Sequence, residues 1–347
     1  MNTDTGKQTA STAVRCNSLK AWVLASRPKT LAGAAAPVIV GAALSWATLV
    51  SISGNIFSSS WIIPSSICLV FALLMQIDAN FINDYFDFKK GSDTSERLGP
   101  ERACTQGWIT PAAMKTGITV TTILAFLCGL PLIFYGGWAM LIVGILCVLG
   151  AFLYTTRLSY QGLGDLMVIL YFGIVPVFFT WFTSTASVPD KCPLASYLLC
   201  GALAVVAGFA MGFVTDNLLI VNNYRDVEED RKNGKNTLVV RLGKKAAEWL
   251  YLINGCVAVA GALLIGGWMK KYYSGTGPQI ESFFPFHLLI PLLFLPFLYS
   301  AHRKMVQINR GRGLNAILGK TSKNILIFSL LLTTSIVVLT LQFWFNG

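Results

Sequence analysis

Residues 61–93 read WIIPSSICLVFALLMQIDANFINDYFDFKKGSD, and this stretch decides the architecture. Its first part is apolar over the ~20 residues that a helix needs to cross a bilayer. Its second part is polar on one side only. At about 100° per residue, Gln76, Asn80, Asn83, Asp84 and Asp87 fall within about 100° of arc and form one stripe on an otherwise apolar helix. Asp78 points the other way. Polar groups inside a span are costly unless they face a cavity or a partner. The stretch therefore predicts a transmembrane helix whose stripe lines an internal cavity.

The rest of the chain agrees with that reading. Of its 347 residues 54% are hydrophobic and 12% charged, against about 25% charged in soluble domains. Hydropathy predicts an all-α polytopic membrane protein of about nine helices in a bundle around a central cavity. They lie near 31–50, 61–83, 113–134, 137–155, 163–184, 195–221, 248–268, 284–301 and 323–345. Residues 1–25 read as a polar N-terminal tail. Residues 26–347 read as one transmembrane domain, with active-site loops at about 84–112 and 222–247. No removable signal sequence is evident.

Charge sets the expected orientation. Of the 27 lysines and arginines, only Lys191, Lys270 and Lys271 fall in odd-to-even loops. The positive-inside rule then puts the N-terminus and the even-to-odd loops in the cytoplasm and the C-terminus outside. The net charge of +11 is accounted for by those loops, so no nucleic-acid partner is expected. Eight cysteines without a CxxC pair, and two histidines, give no zinc or haem pattern.

A second polar island, Asn222-Asn-Tyr-Arg-Asp-Val-Glu-Glu-Asp230, follows the sixth span. Asp226 and Asp230 are neighbours at i, i+4, and Asn223 and Asp216 share their face. Asn83-Asp84-Tyr85-Phe86-Asp87 matches Asn222-Asn223-Tyr224-Arg225-Asp226 at three of five positions. Four spans separate the parent helices, so both islands emerge on one side, as a parallel internal repeat requires. Two converging carboxylate sets suit Mg²⁺, which takes carboxylate oxygens together with substrate phosphates. Lys89, Lys90, Arg97, Arg102, Arg157 and Lys235 can offset remaining diphosphate charge. An apolar cavity below would take a lipid tail.

These residues resemble the UbiA superfamily of intramembrane prenyltransferases. Asn83 to Asp93 is similar to its Asn-rich first Asp motif, and Asp226 to Asp230 to its second. Further similarity lies in Ser26-Arg-Pro-Lys-Thr30, Lys90-Gly-Ser-Asp93, Arg97-Leu-Gly-Pro100 with Arg102, Gly162-Leu-Gly-Asp165, and Gly234 to Gly243. Within the family the similarity is to the branch that prenylates 1,4-dihydroxy-2-naphthoate. In many members the first motif is Asn-x-x-x-Asp-x-x-x-Asp; here Gly91 intervenes and the next acid is Asp93.

The resemblance implies Mg²⁺-dependent transfer of a polyprenyl group from polyprenyl diphosphate to that acceptor, with loss of CO₂ and diphosphate, in a membrane-lipid setting. It implies Asp87, Asp226, Asp230 and Asp93 as metal ligands, with Asn83 and Asp84 beside them. Lys29, Asn80, Lys90, Arg97, Arg102, Arg157, Asn223, Arg225 and Lys235 are expected at the substrates. Arg225 either holds the acceptor carboxylate or anchors the loop. Arg97 and Arg102 either bind diphosphate or anchor to phospholipid. Other aromatic acceptors (4-hydroxybenzoate, homogentisate, a tetrapyrrole) stay open. A transporter would place its polar groups at mid-bilayer, whereas these acids cluster at helix ends.

Overall fold

The computed structural model describes residues 14–91, 98–188, 190, 192–276 and 286–346. Its helices are α1 Leu19–Ser26, α2 Leu31–Ser53, α3 Ile62–Lys90, α4 Pro111–Gly136, α5 Ala139–Leu158, α6 Gly164–Thr185, α7 Leu194–Lys232, α8 Leu238–Leu242, α9 Lys244–Thr276, α10 Phe286–Leu289, α11 Leu295–Ile308 and α12 Leu314–Asn346. Among the described residues, eight segments are long and apolar enough to cross a membrane.

The eighth expected span, 284–301, is not one long helix. Its described part is α10, a tight turn at Pro291–Phe294, and α11. Pro291 and Pro296 each remove a helical N–H donor, which breaks the regular helix there. The segment nevertheless stays beside α12 from His287 to Ser300. The Ser335 hydroxyl donates to the His287 carbonyl at 2.8 Å, the Asn324 amide to the Phe297 carbonyl at 3.2 Å, and Lys320 Nζ to the Ser300 hydroxyl at 2.6 Å. These pairs descend α12 as they climb α10 and α11, so the segment lies antiparallel to α12. Among the described residues it adds one antiparallel segment to the eight long helices, roughly consistent with the about nine that the hydropathy predicts.

Two helices outgrow their apolar segments. α3 has 29 residues and α7 has 39, or about 44 and 58 Å at 1.5 Å per residue, against ~30 Å of hydrocarbon. Both acid islands ride on these extensions, as helix rather than loop. α3 ends at Gly91, which caps it at φ +68°. This left-handed conformation suits glycine and stops the helical spacing two residues before Asp93. Asp93 and Arg97 lie outside the described residues.

α7 is the central strut. Small residues let α6 approach it backbone to backbone. A Cβ on Gly208 would lie 2.6 Å from Ile174 Cα, and one on Gly212 2.8 Å from the Ile169 carbonyl. Where hydrocarbon surrounds the bundle, such close approach is a main source of helix association. α12 closes the bundle on α2 and the turn before it, with the Ser329 hydroxyl on the Ala36 carbonyl and the Ser322 hydroxyl on the Lys29 carbonyl, 2.8 and 2.7 Å. At the acidic end, residues 98–110 fold back over α1, α3 and α4, burying Ala103, Cys104 and Ile109 against Ala21, Phe81 and Met114.

Candidate active site

A cavity of about 320 Å³ lies inside the bundle. It follows α3 from Cys68 to Asn83, roughly 22 Å of helix. At the acidic end its wall carries Arg27, Thr30, Gln76, Asn80, Asn83, Tyr154 and Asn222; below, Phe71, Phe126, Leu132, Met140 and Phe179 make it apolar.

The α3 stripe divides by depth. Gln76 donates to Thr30 Oγ1 and to Asn80 Oδ1, both at 3.3 Å, while Asn80 donates to the Ser26 carbonyl at 2.9 Å. These two amides thus fasten the 26–30 segment to α3, where Arg27 reaches the cavity. Asn83 accepts from the Thr155 hydroxyl at 2.7 Å. Asp84, 1% exposed, turns away from the cavity. Its carboxylate accepts the Ala103 and Cys104 backbone N–H groups at 2.8 and 2.9 Å. Burial and the neighbouring Asp84 push the Cys104 thiol up, so it stays a thiol. Asp87 accepts Arg102 Nη2 at 2.8 Å.

On α7, Asp226 takes a two-pronged grip from Arg225, whose Nε lies 2.7 Å from Oδ1 while Nη2 meets Oδ2. Arg225 Nη1 donates to Asn315 Oδ1 at 2.7 Å. With its side chain 1% exposed, Arg225 is buried between Asp226 and Asn315. Asp230 has Oδ1 3.6 Å from Lys235 Nζ, and its buried Oδ2 has no hydrogen-bond partner.

The two motifs superpose in kind. Asn83 and Asn222 line the cavity, and Asp87 and Asp226 each hold a guanidinium. Asn223, expected at the substrates, is buried and, like Asp87, Asp226 and Asp230, is not among the residues lining the cavity, whereas Asn222, which the repeat equates with Asn83, is. Other expected contacts lie elsewhere. Lys29 is exposed and outside the wall, and Arg157 is exposed as well. Lys90 donates to the Thr155 and Thr156 carbonyls at 3.4 and 3.1 Å and sits over the Tyr160 ring. Tyr224 is buried, its hydroxyl on Glu248 and Asn309 at 3.0 and 3.1 Å. Arg27, Thr30 and Tyr154 were not anticipated at the cavity, although Arg27 and Thr30 belong to the motif quoted before the first span.

Asp165, from the Gly162-Leu-Gly-Asp165 stretch, and Asp216 are both buried, and Asn254 donates to Asp216 Oδ2 at 2.9 Å. Asp78 accepts Thr122 on α4 at 2.8 Å, facing away from the cavity as predicted.

Among the described residues, no three histidine, cysteine or acidic side chains group tightly enough to hold a metal ion by themselves. Mg²⁺ does not need such a group, because it binds through one or two carboxylates plus substrate phosphates and water. The hard oxygens of Asp87, Asp226 and Asp230, with the unpartnered oxygen of Asp230, fit that ion.

A multi-pass membrane bundle with an apolar cavity, capped at one end by paired Asn/Asp motifs, defines a class of intramembrane enzyme. The profile of the UbiA prenyltransferase family matches residues 34–312, and the chain belongs to that family. It is a prenyltransferase. Over 234 residues it is 37% identical to the 1,4-dihydroxy-2-naphthoate octaprenyltransferase of Escherichia coli, covering 65% of this chain and 69% of that one. The fold matches the apo structure of a UbiA homolog from Aeropyrum pernix, with TM-score 0.58, 15% identity, and 87% and 97% of the two chains covered. It also matches a UbiA homolog from Archaeoglobus fulgidus bound to DMAPP and Mg²⁺, with TM-score 0.52, 13% identity, and 90% and 99% covered.

Proposed function

We propose that this prenyltransferase joins a polyprenyl group from polyprenyl diphosphate to 1,4-dihydroxy-2-naphthoate, releasing CO₂ and diphosphate to give demethylmenaquinol. The observation that carries the reading is the pairing of Asn83/Asp87 with Asn222/Asp226 at the polar end of a cavity that is apolar along the rest of its length. The acceptor assignment is supported by the relatives named for it, including those of E. coli and, at 34% identity over 250 residues, Mycobacterium tuberculosis.

In this reading the prenyl chain lies in the apolar slot, with its diphosphate toward the motifs. Asp87, Asp226 and Asp230 would hold Mg²⁺, which when bound would neutralise diphosphate charge. Arg102 and Lys235, already beside those carboxylates, supply further positive charge for the leaving group. The allylic C–O bond breaks and its electron pair leaves with the diphosphate. Phe71, Phe126, Met140 and Phe179 keep water from the allylic cation. The ring carbon bearing the carboxylate forms the new C–C bond, and departure of CO₂ restores aromaticity. Asn83 and Asn222 orient the oxygens at the mouth.

The test is turnover by the purified protein with Mg²⁺, a polyprenyl diphosphate and a panel of aromatic acceptors, read by product mass. The expected product is the prenylated dihydroxynaphthalene, lacking the carboxylate mass. Turnover of another acceptor with none of dihydroxynaphthoate would reject the assignment. Asp87→Ala and Asp226→Ala are each expected to cut kcat/KM on the order of 10²–10³-fold, the scale for losing one organising group at a developing charge.

A further inference from the structure

A chain of hydrogen bonds joins the two acid motifs through a residue that neither motif contains. On one side, Asp87 accepts Arg102 at 2.8 Å, and Arg102 sits in the 98–110 loop that Asp84 pins through Ala103 and Cys104. On the other, Arg225 grips Asp226 and turns its remaining nitrogen, Nη1, to Asn315 Oδ1 at 2.7 Å. Asn315 Nδ2 then donates to the Leu98 carbonyl, in the same loop as Arg102, at 2.8 Å. One carboxamide thus spends its acceptor on the second motif and its donor on the loop serving the first.

Asn315 stands in the first turn of α12. An asparagine beside a helix start ordinarily satisfies nearby backbone N–H groups. This one reaches instead to partners 90 and 217 residues away in sequence. The contact to Arg225 is also charge-assisted, at a guanidinium that is otherwise buried. A short side chain offering both a donor and an acceptor is what the junction needs. Aspartate would keep only the acceptor.

We propose that Asn315 is a positioning residue that couples the two acid motifs, fixing the Arg102 loop relative to the Arg225–Asp226 pair across the diphosphate site. The inference rests on the diphosphate-site reading above. A rigid junction matters because the two motifs come from helices four spans apart and must meet one small anion. Displacement of organising groups by about 1 Å can cost on the order of 10²-fold in rate.

Asn315→Asp separates the two bonds: it retains the acceptor for Arg225 and deletes the donor to Leu98. The full-length protein in detergent would be titrated calorimetrically with inorganic diphosphate in the presence of Mg²⁺. KM values for prenyl diphosphate and for the aromatic acceptor would be measured alongside the thermal midpoint. Asn315→Asp is expected to weaken diphosphate binding and raise the prenyl diphosphate KM by about 10-fold, leaving the acceptor KM and thermal midpoint near wild type. Asn315→Gln, with both groups on a longer stem, is expected to recover part of the loss. Because Asn315 acts through the loop, Arg102→Gln and Asn315→Asp together should cost clearly less than the product of their separate effects. Wild-type diphosphate affinity in Asn315→Asp, or fully multiplicative losses with Arg102→Gln, would overturn the coupling. Failure of the wild-type protein to bind diphosphate with Mg²⁺ would overturn the site assignment itself, a distinct result.

Discussion

Asp84 and Asp87 stand one helical turn apart on α3 and meet different partners. Asp84 takes two backbone N–H groups of the folded-back loop, whereas Asp87 meets the Arg102 side chain one turn beyond the cavity-lining Asn83. Helix-face arithmetic puts both in one arc and could not separate them, because the loop that claims Asp84 arrives from 19 and 20 residues downstream. The difference is measurable. Asp84→Ala orphans two buried donors and is expected to cost about 2–4 kcal/mol of stability, seen as a lower thermal midpoint in detergent. Asp87→Ala, at a less buried position, is expected to leave the midpoint close to wild type and to cut kcat/KM on the order of 10²–10³-fold. Equal loss of stability in both variants would contradict this division. Asn222 carries a related lesson. Its role at the cavity wall was legible in the internal repeat, which pairs it with Asn83, and was hidden by treating α7 as an isolated wheel.

At the scale of elements, the sequence predicts where the helices cross but not how far they continue. Apolar content marks the hydrocarbon segments of α3 and α7. Their extensions to Lys90 and Lys232 depend on packing that a hydropathy window does not sense. The α6–α7 contact is equally silent in hydropathy, since glycine contributes little to it. Gly208 and Gly212 sit against the α6 backbone with no room for a side chain. Gly212→Val would drive two methyl groups into the Ile169 backbone. Overpacking of this kind costs typically 1–3 kcal/mol, and here the obstacle is backbone, so the upper end is expected. The widened turn of α6 at Leu170–Ile174 lies beside this contact, and Tyr171, Phe172 and Val175 line the cavity. The variant should therefore lose both thermal stability and prenyl transfer, whereas Gly267→Ala, with open space around its Cβ and away from the cavity wall, should lose neither.

For the whole molecule, the number of crossings decides whether the two termini share a side. Nine crossings would put them on opposite sides. That count depends on the broken segment α10–α11, whose proline turn defeats a length criterion but whose bonds to α12 run antiparallel along its course. Were the segment to turn back, the crossings would be eight and the termini would share a side. Charge then sets the expected direction: in the sequence only Lys191, Lys270 and Lys271 of 27 basic residues fall in odd-to-even loops, so the acidic-motif end, with the N-terminus, is expected in the cytoplasm. A cysteine-free variant retaining only Cys16, which is exposed near α1, would resist a membrane-impermeant thiol reagent on intact cells and react once the membrane is opened. The same background carrying only Phe345→Cys, at an exposed position near the end of α12, would react on intact cells. Labelling of both sites on one side would mean that residues 286–308 do not cross. Labelling in the reverse sense would put the diphosphate site outside the cell, away from the compartment in which a prenyl diphosphate is expected to be supplied.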